Sequence, residues 1–146
     1  GRSLVGEVHD ENAYALGGVA GHAGLFGTAD AVGILARHLL QILDGRTGFV
    51  RRATLEEFIH RRAGVPGSSR ALGWDTALPT SSCGTLMSPR AFGHTGFTGP
   101  SLRVDPDRGV YVVLLTNRVH PTRTNNAIAR LRPLVHDAVM RELQGS

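Results

Sequence analysis

Apolar positions along the chain follow a helical period in three stretches and alternate in another. Between Thr28 and Gly45, Val32, Leu35, Leu39 and Ile42 return every three or four residues, which gathers them on one helix face. Thr28 supplies an N-cap oxygen, Asp30 suits the positive end of the dipole, and Gly45 is a C-terminal stop. A second helix is expected from Thr54, with Glu57 completing a capping box and Leu55, Phe58 and Ile59 as its apolar residues. A third covers 125–143, where Ile128, Leu131, Leu134, Val135, Ala138 and Val139 form a stripe. Pro133 inside it should kink or split it.

Strand patterns sit between the second and third helices. Ser101 to Asp105 alternates polar and apolar residues, as a half-buried strand does. Residues 106–109, PDRG, read as a turn, and Val110 to Leu115, VYVVLL, as a strand buried on both faces. LGWDTAL, 72–78, is a further short strand candidate. The first 27 residues read as irregular, and GGVAGHAGLFG (17–27), with five glycines in eleven positions, as a buried turn or a loop packed close to something. The expected fold is α+β: an antiparallel sheet of three C-terminal strands, a C-terminal helix packed on it, and two further helices. Residues 1–90 would hold loop and helices, and 91–146 the sheet and last helix.

Composition narrows the chemistry. At 146 residues and 41% hydrophobic, the chain has the length and apolar content of one domain. No stretch approaches the roughly 20 apolar residues of a membrane helix, and no apolar signal segment is visible at the N-terminus. A single cysteine, Cys83, excludes an internal disulfide and a cysteine-rich zinc site. All sixteen basic residues are arginine, which excludes a Schiff-base lysine, a P-loop lysine and a lysine general base. The net charge of +4 invites comparison with nucleic-acid binders, but the arginines are scattered and aromatics are only 5% of the chain. A solvated arginine-rich surface, with no nucleic-acid or membrane partner, is the expectation.

Two segments carry residues capable of chemistry. In AFGHTGFTGPSLRVDP, 91–106, Gly93, Gly96 and Gly99 recur every third residue around His94 and Thr95. Glycine lets a backbone approach another molecule closely or take positive φ, so the stretch reads as a strand edge against a ligand or as an ordinary turn. The second segment holds His9, Asp10, Glu11, Asn12 and His22. A metal or an acid–base pair is one reading, and a loop whose polar side chains hold their own backbone is another. The spacing H-E-x-x-H is absent, and no metal or other cofactor is expected. Trp74 reads as a core or cleft-wall aromatic, His38, His60 and His136 as structural residues on helix surfaces, and His120 as a loop residue.

GHTGFTG, a strand, DPDRG, VYVVLLTN and a final helix together resemble the C-terminal end of serine β-lactamases and penicillin-binding-protein-like hydrolases. The nearest branch is that of class C β-lactamases with their esterase and D-aminopeptidase relatives. VHDENAYALGGVAGHAGLFGTAD, 8–30, is similar to a segment preceding a helix in that superfamily. The resemblance implies an incomplete β-lactamase/transpeptidase-like fold spanning the whole chain. It matches His94-Thr95-Gly96 to the family's third motif, K-T-G, with histidine in place of lysine. It further implies that the Phe97 N–H is one of two oxyanion donors, and that the loop of His9, Asp10, Asn12 and His22 borders the cleft. By the same resemblance Arg118, Arg123 and Asn125 would lie near where class C-like enzymes recognise a substrate carboxylate, the other reading being solvated surface arginines.

The family's first motif, S-x-x-K, is impossible in a chain without lysine, and G-x-S-x-G is missing too. The expectation is therefore a C-terminal part of a serine hydrolase, inactive by itself, whose N-terminal part brings the nucleophile. Its substrate would be a small molecule or peptide with a reactive carbonyl. The alternative is a non-catalytic binding or regulatory module that keeps a degenerate form of the fold. The family is often periplasmic or secreted, and the compartment stays open here. Without neighbours from an N-terminal part, the VYVVLL strand would expose an apolar edge and favour self-association.

Overall fold

The alternation in Ser101–Asp105 sends side chains to two opposite faces, and each face finds its own helix. In the computed structural model, which describes residues 3–62 and 64–145, the elements are α1 (Glu11–Ala15), α2 (Ala29–Leu43), α3 (Arg52–Ile59), β1 (Asp75–Thr76), β2 (Phe92–Thr95), β3 (Ser101–Asp105), β4 (Val110–Leu114) and α4 (Ile128–Gln144). The strands form one antiparallel sheet in the order β1-β2-β3-β4. Leu102 stands opposite His94, and Val104 lies between Phe92 and Tyr111. The fold is α+β, as the sequence predicts, and β3 and the turn after it fall at the expected residues.

On one face Phe92, Leu102, Val104 and Tyr111 meet Ala36, Leu39, Ile42 and Leu43 of α2 and Leu55 of α3. Trp74 closes this core edge-on against Phe92, 5.1 Å between ring centres. α2 is capped as predicted: Thr28 Oγ1 accepts from the Ala31 N–H at 3.2 Å, and Gly45 follows the last turn at φ +91°. Its buried face is rotated from the predicted one. Gly33 and Ala36 turn inward while Leu35 is 44% exposed. A side-chain carbon at Gly33 would sit 3.1 Å from the Tyr111 ring, so small residues let the helix lie directly on β4.

α3 corrects the predicted capping box. The helix starts at Arg52, with Arg51 as an N-cap that makes no side-chain bond, and Thr54 is already helical. Glu57 pairs with Arg62 at 2.5 Å instead. Val50, packed against the α2 core, fixes the chain just before residue 51 and brings the helix start forward.

On the second face lie Cys83, Met87, Ala91, Val112 and Met140. Here α4 departs most from expectation. It runs through Pro133 unbroken, and it buries Arg132, His136, Asp137 and Met140 while Leu131 and Leu134 are 45% and 63% exposed. His136, expected on the surface, is fully buried. Hydrogen bonds explain the inversion. His136 Nδ1 lies 2.7 Å from the Ser82 carbonyl, and the Asp137 carboxylate accepts from the N–H groups of Thr85 and Leu86 at 2.7 and 3.1 Å. Together with Arg132 these anchors outweigh the one helical bond that Pro133 lacks.

Two further expectations are corrected. Residues 17–27 form an exposed loop rather than a buried one, with Val19, Leu25 and Phe26 largely in solvent. Its glycines serve backbone geometry: Gly24, at φ +115°, presses against the Gly18 carbonyl beside the Ala20–Ala23 bridge. β4 is apolar as predicted but buries only Val112 fully, because it is the edge strand of the described sheet.

Candidate active site

β2 ends in His94-Thr95, and the chain then reverses through 96–99 into β3. The Gly96 N–H donates to the Pro100 carbonyl at 2.8 Å and the Gly99 N–H to the Gly96 carbonyl at 3.1 Å. The three glycines have separate reasons. A side chain at Gly93 would strike the Leu102 carbonyl and the Arg103 side chain, which crosses there. Gly99 takes φ +125° against Thr116, while Gly96 lies exposed on the outer rim. The stretch is thus both a tight turn and an accessible strand end.

His94 is exposed, and Arg70 reaches it: the guanidinium Nη1 donates to His94 Nε2 at 3.0 Å. The same nitrogen lies 3.3 Å from Asp75 Oδ1, which also accepts from the Ser69 hydroxyl at 3.1 Å. Nε2 is the acceptor in this contact, so the ring proton sits on Nδ1. Arg70 escaped sequence reasoning. It stands in a Gly/Pro/Ser-rich stretch, and only the Arg70–Asp75 bridge at the end of β1 brings it to β2.

Phe97 is 61% exposed and lies between two residues distant in sequence. Its ring stacks on His9 with centroids 6.0 Å apart, and the Arg118 guanidinium sits 4.1 Å from its centre. Arg118 Nε donates to the Phe97 carbonyl at 2.7 Å, and its Nη1 donates to the Arg123 carbonyl at 2.7 Å. The Arg118 N–H holds the Thr98 carbonyl at 2.8 Å. Arg118 is therefore a clasp between the 96–99 turn and the loop after β4. The Phe97 N–H itself has no hydrogen-bond partner among the described residues.

The other predicted residues divide. His9 joins the motif through Phe97, and Glu11 of α1 pairs with Arg123 at 2.5 Å. Asp10 faces its own segment: Oδ1 accepts from the Ala13 N–H at 2.8 Å and lies 3.0 Å from His22 Nε2. The Ala13 N–H first, then His22, holds this carboxyl below its ordinary value. Asn12 lies exposed on α1. Among the described residues no three His, Cys, Asp or Glu side chains gather as a metal site requires.

Arginines stand beneath the turn. Arg132 of α4 donates from Nη2 to the carbonyls of Gly96 and Pro100, at 2.7 and 3.0 Å. Arg103 is buried beside it and bonds Ser82, leaving Nε and Nη1 without partners. Burial pushes both guanidinium pKa values down, and that of His136 also.

Comparison with known proteins identifies the family and the fold. A family model described as Beta-lactamase matches residues 2–137. A candidate D-alanyl-D-alanine carboxypeptidase of Escherichia coli strain K12 is 37% identical over 123 residues, covering 81% of this chain and 28% of that protein. Its counterpart in Salmonella agona strain SL483 is 37% identical over 130 residues, 84% of this chain and 29% of the relative. The chain thus spans less than a third of the length of these relatives. A crystal structure of a beta-lactamase from Mycobacterium bovis superposes with a TM-score of 0.64 at 24% identity, over 82% of this chain and 46% of the other. That likeness establishes the fold.

Proposed function

The chain belongs to the beta-lactamase family, and from that premise we propose that it forms one wall of the active site of a serine hydrolase acting on amide or ester bonds. The D-peptidase or esterase type is favoured, since histidine replaces lysine in the third motif and the relatives are named for D-alanyl-D-alanine carboxypeptidase activity. The observation that carries the reading is the β2 end: an exposed imidazole beside a half-buried hydroxyl, followed by a peptide N–H with no hydrogen-bond partner among the described residues.

In this reading a serine from a part of the enzyme outside this chain attacks the substrate carbonyl. The carbonyl oxygen becomes an oxyanion and accepts from the Phe97 N–H. Collapse of the tetrahedral species expels the amine or alcohol, which takes up a proton, and leaves an acyl-enzyme. Water then attacks the acyl carbonyl and releases the acid and the free serine. His94 and Thr95 line the strand edge and hydrogen-bond the substrate, His94 with its ring set by Arg70. Gly96, without a side chain, lets the substrate lie against the strand. His9 and Arg118 border the same edge through Phe97, with Asp10, Asn12 and His22 shaping the loop behind His9. No cofactor enters these steps.

Supplying the N-terminal part should restore covalent labelling by a fluorescent penicillin or a fluorophosphonate. A completed protein that stays unlabelled and cleaves neither nitrocefin nor p-nitrophenyl acetate refutes the hydrolase reading. The absence of lysine, and with it of S-x-x-K, supports a second reading as a non-catalytic binding or regulatory module. That reading predicts reversible ligand binding without acylation.

A further inference from the structure

The turn after β2 rests on a buried charge. Arg132 is 8% exposed, and its Nη2 donates to the Gly96 carbonyl at 2.7 Å and the Pro100 carbonyl at 3.0 Å. Among the described residues the only cis peptide is His120–Pro121, so the Gly96–Phe97 peptide is trans. In a trans peptide the C=O and N–H lie in one plane and point in opposite directions. Turning the Gly96 carbonyl inward onto the guanidinium therefore turns the Phe97 N–H outward.

We propose that Arg132 is a positioning residue for oxyanion binding, fixing the plane of the Gly96–Phe97 peptide and polarising it so that the Phe97 N–H donates more strongly. This rests on the reading that the Phe97 N–H receives the oxyanion. The polarisation is ordinary hydrogen-bond cooperativity: a cation at the carbonyl draws electron density through the conjugated amide and strengthens its N–H as a donor.

A filling role fits the site poorly. Arg132 makes no ion pair with a carboxylate among the described residues, its buried Nε has no partner, and its charged neighbours are Arg103 and Arg118. A methionine would fill the same space without the cost of burying an unpaired cation. What the guanidinium adds is its bonds to two backbone carbonyls, one of which belongs to the oxyanion peptide.

The test uses the enzyme completed with its N-terminal part, with variants Arg132→Met and Arg132→Lys. Single-turnover acylation by a p-nitrophenyl ester separates the substrate Kd from the acylation rate constant. An alkyl boronic acid, whose serine adduct presents a tetrahedral oxyanion, reads the hole directly. Arg132→Met should slow acylation about tenfold, less than the roughly 10²–10³ lost when an oxyanion donor is removed outright. Boronate affinity should fall in step, while the substrate Kd stays within about twofold. Arg132→Lys, which keeps the charge, should recover part of both, and it carries the test alone if Arg132→Met does not fold. Acylation and boronate affinity that ignore Arg132, or a loss that falls entirely on substrate Kd, overturns the proposal and leaves the hydrolase reading intact. A wild-type completed enzyme that is never acylated overturns both.

Discussion

The Arg70 guanidinium lies between His94 and Asp75, 3.0 Å from the imidazole Nε2 and 3.3 Å from the carboxylate Oδ1. The contact occupies the Nε2 edge of the imidazole and fixes its tautomer. Replacing Arg70 with alanine should lower kcat/KM of the completed enzyme about tenfold, less than the roughly 10²–10⁴-fold that a positioned acid–base group itself contributes. The ring should then populate both neutral tautomers, which imidazole ¹⁵N shifts report. Because the Arg70 side chain is 62% exposed, its pairing contributes only about 0–1 kcal/mol, and the Tm should barely move. A large Tm loss, or unchanged kinetics, would count against this role.

His136 makes stability depend on pH. Burial first holds its pKa below 6.5, so between the folded and unfolded values the unfolded chain binds more protons. Stability is therefore full above about pH 6.5 and declines as the pH falls below it, at no more than about 1.4 kcal/mol per pH unit for this group. His136→Asn should flatten that part of the curve in urea titrations at pH 5 and 7. An equally steep curve in the variant would place the titrating group elsewhere.

Asp137 ties α4 to the loop between β1 and β2 by accepting from two backbone N–H groups and from the Thr85 hydroxyl at 3.1 Å. Asp137→Ala leaves those donors partly buried and unpaired. The expected cost is about 2–4 kcal/mol in denaturant unfolding, with loss of fluorescent-penicillin labelling if α4 no longer supports the 96–99 turn. A cost below about 0.5 kcal/mol would show that the apolar contacts of Met140 hold the helix unaided.

The free edge of β4 and the exposed Leu115, Leu131 and Leu134 predict self-association of this chain by itself. Light scattering should detect oligomers at micromolar concentration. Val113→Lys on β4, or addition of the N-terminal part, should reduce them. A monodisperse monomer would contradict the prediction.

Local interactions explain what the sequence determined. The α2 cap at Thr28, the stop at Gly45, the β3 alternation and the turn at 106–109 each depend on residues within a few positions, so spacing alone reveals them. His94-Thr95-Gly96 was legible for the same reason, as a contiguous run at the end of β2 and the turn that follows. Tertiary structure decided which face each helix buries. The apolar stripe of α4 lost to Arg132, His136 and Asp137, whose partners lie 32 to 54 residues away in the chain. It also decided that Arg70 and His9 reach the motif at all. Pairings over such distances are set by sheet register and loop closure, and no local pattern of hydrophobic and polar residues encodes them.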